Sequence, residues 1–191
     1  MEIIGLVLLV VMVVVVVYFI MIYNQLVQVK HNASKAWANI DVLLKQRHDE
    51  LPKLVETCKQ YMKFEQDTLV RVMEARSQVS NAREQQNIGA LGQAEGELRG
   101  ALGKLFALAE AYPDLKTDQT FLHLQSRISS LENAIADRRE FYNESVNVNN
   151  VRIEQFPDSI VAALFSFRPM QLLKFSTQET ADVDVRQLFQ A

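Results

Sequence analysis

The chain is 191 residues long, with 49% hydrophobic and 23% charged residues and a formal charge of -3. That length fits one domain and excludes a large two-domain enzyme, and so small a charge gives no field able to hold a polyanion, which sets nucleic-acid binding aside. A single cysteine, Cys58, and three histidines exclude a disulfide scaffold and a cysteine zinc site.

Ile3 to Ile22 is twenty residues without a charge, amide or proline, and at 1.5 Å per residue it reaches about 30 Å, the thickness of a bilayer core. The stretch reads as a retained membrane span, because Glu2 precedes it and Asn24-Gln25-Leu26 follows where a signal peptide wants a basic start and a small-x-small site. Tyr18 and Tyr23 bracket its far end, where amphipathic rings favour the headgroup layer. Lys30 and Lys35 lie just beyond it, so the positive-inside rule places the amino terminus outside and residues 23–191 in the cytoplasm.

Beyond the span the chain reads as helices. Apolar residues keep helical spacing from Ala33, Ala36, Trp37, Ile40 and Leu44 through Leu51, Leu54, Val55, Cys58 and Met62 to Leu69, Val72 and Val79. The apolar phase carries straight across Pro52, and Asp49-Glu50-Leu51 offers neither a left-handed residue nor a cap, so a continuous kinked helix is expected over a hairpin. Asn81 with Glu84 resembles a capping box that opens a second helix ending at Tyr112. Thr117 or Asp118 caps a third helix with Phe121, Leu124, Ile128, Leu131, Ile135, Tyr142 and Val146 on one face, and Pro157 starts a short fourth over Asp158 to Phe165. The expected fold is all-α: a transmembrane helix over 1–22 continuing into an antiparallel up-and-down bundle with a membrane-proximal stalk over 23–156, then a short helix and tail over 157–191.

The stretch Ala36-Trp37-Ala38-Asn39-Ile40-Asp41-Val42-Leu43-Leu44-Lys45-Gln46-Arg47-His48-Asp49, with Leu51-Pro52-Lys53-Leu54-Val55, Ala109-Glu110-Ala111-Tyr112-Pro113-Asp114-Leu115-Lys116 and Tyr142-Asn143, resembles the bacterial LemA proteins. The resemblance covers nearly the whole chain and implies a plasma-membrane-anchored four-helix bundle, without implying a reaction. The family pattern commonly has a second Tyr-Asn where this chain reads Asn149-Asn150, and a Gly-Phe where it reads Ser166-Phe167.

Few residues suggest catalysis. A di-iron bundle needs Glu-x-x-His, whereas Gln28, Lys45 and Thr120 stand three before the histidines. His48-Asp49-Glu50 is the densest ligand cluster, but successive helix positions point about 100° apart. Cys58 lies on the apolar phase and reads as a small buried hydrophobe. No enzymatic activity and no cofactor or metal is expected.

Three other features bear on partners. Gly89, Gly92, Gly96, Gly100 and Gly103 fall on one side of the second helix, opposite Leu91, Leu98, Leu102 and Leu105; they read either as a tolerated loosening or as a groove for a close-packed partner. Glu65 and Arg138 each fall on an apolar stripe and are expected to form a buried ion pair, or else to reach the surface along their stems. The second helix is too short to cover Ala33, Ala36, Trp37, Ile40 and Leu44, so that stripe is expected to need a partner: a second copy, another membrane protein or the carboxy-terminal tail. The reading is a non-enzymatic, self-associating scaffold or interaction module in contact with the lipid bilayer. The alternative is a membrane-coupled sensor with a small ligand between its helices.

Overall fold

The computed structural model describes residues 2–174, and among them the chain forms six α-helices and no strand. These are α1 (Glu2–Tyr61), α2 (Gln66–Glu84), α3 (Ile88–Ala109), α4 (Pro113–Lys116), α5 (Gln119–Glu154) and α6 (Asp158–Leu164). The fold is all-α. The acidic end of the tail, with Glu179, Asp182 and Asp184, lies outside the described residues.

Pro52 lies inside α1, and Leu44, Leu51 and Leu54 on either side of it are all buried. An apolar phase that continues across the proline keeps these residues on one face, so burial holds the helix together despite one lost backbone hydrogen bond. The chain turns ten residues later, at Met62–Glu65, where the sequence predicts uninterrupted helix to Val79. Glu65 adopts φ -104 and ψ 34, and its carbonyl accepts from the amides of Thr68 and Leu69 to open α2. The physical reason is burial: turning here puts Leu69, Val72, Ala75, Val79 and Ala82 of α2 into a core, which outweighs a few unmade helix bonds.

The second connection also differs from expectation. Asn81 lies within α2, and the cap is Asn87, whose side-chain oxygen accepts from the Ala90 amide at 3.0 Å. α2 ends on Gln86 in the left-handed region, φ 52, with the amides of Gln86 and Asn87 donating to Arg83 and Ala82. That is a Schellman closure built without glycine. Of the two candidate caps, Thr117 and Asp118, it is Asp118 that caps α5, accepting from the Phe121 amide at 2.8 Å, and its other oxygen accepts from the Tyr61 hydroxyl at 3.0 Å.

Packing divides the molecule into two units. The first comprises Met1–Leu43 and Ala134–Leu172. Ile22, Leu26, Val161 and Ala162 form a core there, with Phe19, Ile153 and Phe167 against it. The segment after α6 is tied to α5 by Asn150, whose side chain donates to the Met170 carbonyl and accepts from the Met170 amide, both at 2.9 Å. Asn149-Asn150, where the LemA pattern commonly has Tyr-Asn, thus fastens this segment. Ser166 sits at φ 56 in a second Schellman closure, with Phe167 donating to Ala162 and Ser166 to Ala163. This is a position suited to the glycine of the family pattern.

The second unit comprises, among the described residues, Leu44–Asn133 with Leu173 and Lys174. Its core joins Leu51, Leu54 and Cys58 of α1, Leu69 and Val72 of α2, Leu91, Leu98 and Leu105 of α3, Leu115 of α4, and Phe121 and Ile128 of α5.

The stripe predicted to stand uncovered is buried by the chain itself. Ala33, Ala36 and Ile40 are inaccessible in the first unit and Leu44 is inaccessible in the second. Trp37 is half-buried, its ring 5.7 Å from that of Tyr142 on α5. Within the first unit this part of α1 lies with Ala134–Leu172, and the Trp37–Tyr142 contact shows α5 supplying part of the cover.

Candidate functional site

The charged site of this protein lies inside the second unit. Arg47 on α1 is 1% exposed, and its guanidinium donates to Glu95 on α3 and, at 2.5 Å, to Glu132 on α5. Arg99 lies 3.3 Å from the other oxygen of Glu132. Three helices are therefore joined through two arginines and two carboxylates. Burial pushes the Glu95 carboxyl above the usual carboxylate range, against the pull of Arg47. Burial also works to lower the Arg47 pKa, but Glu95 and Glu132 together outweigh it and hold the guanidinium raised and charged. The Arg47 Nε proton has no hydrogen-bond acceptor. Such a cluster contributes little net stability, since desolvation offsets attraction, and it joins one face of each of the three helices.

Of the two residues expected to form a buried ion pair, Arg138 is exposed in the first unit and Glu65 is half-buried in the second, where its carbonyl opens α2. The signal for the actual pair was present. Arg47 follows Leu44 by three and precedes Leu51 by four, and Glu95 stands four after Leu91 and three before Leu98, so each interrupts an apolar stripe.

The groups most able to carry chemistry are held in structure. The Cys58 sulfur is buried, and burial pushes its thiol up to about 12, so little thiolate is present at neutral pH. His48 Nε2 lies 2.6 Å from Arg76 Nη2, while Arg76 Nε donates to the His48 carbonyl at 2.9 Å. Desolvation and the Arg76 charge lower the His48 pKa. The ring therefore serves as a neutral acceptor tying α2 to α1.

Of the predicted glycine surface, Gly89, Gly100 and Gly103 are exposed and Gly96 is half-buried. Gly92 is buried, and a Cβ there would collide with the Lys174 carbonyl, so the close partner at that point is the chain's own carboxy-terminal segment. Gly96 and Gly100 line a groove of about 790 Å³ whose other walls include Arg71, Glu74, Gln78, Gln93, Glu97 and Lys104, a polar surface. A second groove, of about 910 Å³, runs between α1 and α2 over Pro52, Val55, Met62, Leu69, Val70 and Met73 and has a mainly apolar floor.

α1 carries one stretch long and apolar enough to cross a membrane, and the side chains from Ile3 to Val17 are exposed. The protein is membrane-associated.

Comparison with known proteins agrees with this architecture. The LemA family model matches residues 36–186. Magnetosome protein MamQ 2 of Paramagnetospirillum magneticum is 25% identical, with 90% of this chain and 71% of that protein aligned. Magnetosome protein MamQ of Magnetospirillum gryphiswaldense is 24% identical over the same shares. Protein LemA of Metamycoplasma hominis is 28% identical, covering 90% of this chain and 78% of its own. With the family model matching most of the chain, including the block around Trp37 and the helices that enclose Arg47, the protein belongs to the LemA family.

Proposed function

We propose that this LemA-family protein is a non-enzymatic scaffold of the bacterial plasma membrane, single-span, with the body that follows residue 22 in the cytoplasm. The observation that carries the reading is α1 itself: one unbroken helix provides both the lipid-facing span and the buried positions Leu26, Ala33, Ile40, Leu51 and Leu54 of the folded body. A body that cannot detach from its anchor without breaking its own core suits a protein that holds others at a membrane. The structural employment of Cys58, His48, Glu95 and Glu132 supports the same reading, as do Lys30 and Lys35 for the cytoplasmic side.

The partner in this reading is a second copy or another membrane protein met in the bilayer plane. Energy transfer between donor- and acceptor-labelled full-length chains in vesicles tests self-association: transfer that persists as lipid is added in excess supports it. Transfer that falls to the level of random collisions overturns it. Protease digestion of intact cells and of inverted membranes tests the sidedness, with the body cut only in the inverted preparation.

A second reading, a membrane-coupled sensor, is favoured by the apolar floor of the α1–α2 groove. A hydrophobic fluorophore bound there would be displaced by Met73→Trp, which fills the floor; unaltered binding would reject the site.

A further inference from the structure

We propose that α6 and its flanking phenylalanines form a second membrane contact, a short apolar foot immersed in the lipid at the level where α1 leaves the bilayer. Depth is set by packing within the first unit. Val161 and Ala162 of α6 share a core with Ile22 and Leu26, and Phe19 packs on that core. The rings of Phe165 and Tyr23 are 4.7 Å apart. Phe156 and Pro157 face Tyr18 and Met21 across a recess of about 320 Å³. Phe19 and Ile22 belong to the twenty-residue apolar stretch, so whatever lies against them lies at the depth of the span's last turn. α6 has its inner face on α1 and its outer face toward whatever surrounds α1 there, which is lipid.

The outer face has the chemistry for lipid. Phe156 is 82% exposed, Leu164 69%, Phe165 52% and Ile160 47%. Ile160 and Leu164 stand four apart on one face of α6, and Phe156 and Phe165 flank the helix at its two ends. Asp158 is the only charged residue from Gln155 to Phe167. It is buried, with its Oδ2 3.0 Å from Arg152 Nε in an ion pair lying off the axis of a hydrogen bond, and Arg152 also donates to Gln25. The foot therefore presents no net charge, and exposed Arg168 follows directly, placed to reach a phosphate headgroup. In water this apolar face would be a liability; in the boundary between headgroups and acyl chains it is the expected surface of an interfacial helix.

The proposal rests on α1 being the span, so the experiment reports on the two separately. In full-length Cys58→Ala chains reconstituted into phosphatidylcholine and phosphatidylglycerol vesicles, an environment-sensitive fluorophore is attached at Val17→Cys, Leu164→Cys, Ala163→Cys or Arg138→Cys, and quenched by lipids carrying nitroxides at a shallow acyl position. The label at 17 tests the span alone. The labels at 164 and 163 are expected to shift to shorter wavelength and lose most of their emission to the quencher lipid. The label at 138, on α5, should stay accessible to aqueous iodide. Ala163 is an exposed small residue on the same turn, so it keeps the test valid should Leu164→Cys disturb the packing. A quenched label at 17 with labels at 163 and 164 that behave like 138 would overturn the foot while leaving the anchor intact. A blue shift at 164 without lipid quenching would overturn it in favour of contact between copies.

Discussion

The guanidinium of Arg47 and the carboxylate of Glu95 form an ion pair that water does not reach, their side chains 1% and 2% exposed. Arg47→Met removes one partner and leaves a buried carboxylate beside Glu132, which should cost about 3–5 kcal/mol. Arg47→Met with Glu95→Leu replaces the pair by apolar packing and should recover most of that loss. Urea denaturation of the full chain in detergent micelles, followed by circular dichroism, measures both. Equal stability of the single and double variants would show that the pair is uncoupled.

The glycines of α3 should separate into two behaviours. Nothing stands within 4 Å of a Cβ built at Gly100 or Gly103, so alanine at either position should stabilise the helix by about 1 kcal/mol. Gly92→Ala should instead displace the Lys174 carbonyl and speed trypsin cleavage after Lys174. Cleavage at the native rate would show that the segment does not dock on α3.

His48 makes stability fall toward acid. Its folded pKa lies below the ordinary 6.5, so the neutral ring's contribution is complete above that value and is lost as pH falls through the folded pKa. Denaturation midpoints between about pH 7 and about pH 5 should therefore drop less in His48→Gln than in the native chain. Parallel pH profiles would remove His48 as the cause.

Cys58 should resist alkylation in the native state, since its thiol is buried and pushed up to about 12. Its reaction with an aromatic disulfide should accelerate with urea in step with unfolding. Rapid reaction without denaturant would place the thiol in a more open setting.

The α2–α3 corner offers a pair of local tests. Asn87→Ala removes the cap on Ala90 and should cost about 1 kcal/mol, while Asn81→Ala, inside α2, should be near neutral. Gln86→Gly relieves a left-handed residue at φ 52 and should stabilise the corner. The thermal midpoints of the three variants order the effects.

Much of the fold was legible in the chain because it rests on local properties. The twenty apolar residues from Ile3 are long and apolar enough to cross a membrane, and the steady phase through Leu44, Leu51 and Leu54 carries α1 across Pro52. Asp118 was readable as a cap because its carboxylate meets an amide three residues on. The turn at Met62–Glu65 carries no glycine or proline, so nothing in the local code marks it. The buried arginine was half legible: Arg47 and Glu95 each interrupt an apolar stripe, but a stripe does not say which stripe it will meet.

The sequence by itself determined that this protein is helical, that it carries a stretch long and apolar enough to cross a membrane, and which face of each helix is apolar, since hydropathy and period act within a few turns. Only the tertiary structure decided that Ala33, Ala36 and Ile40 are buried by the chain itself, that Arg47 pairs with Glu95, and that α6 packs on Ile22 and Leu26. Those outcomes compare the burial gained by alternative pairings of faces far apart in the chain, a free-energy difference that no single segment contains.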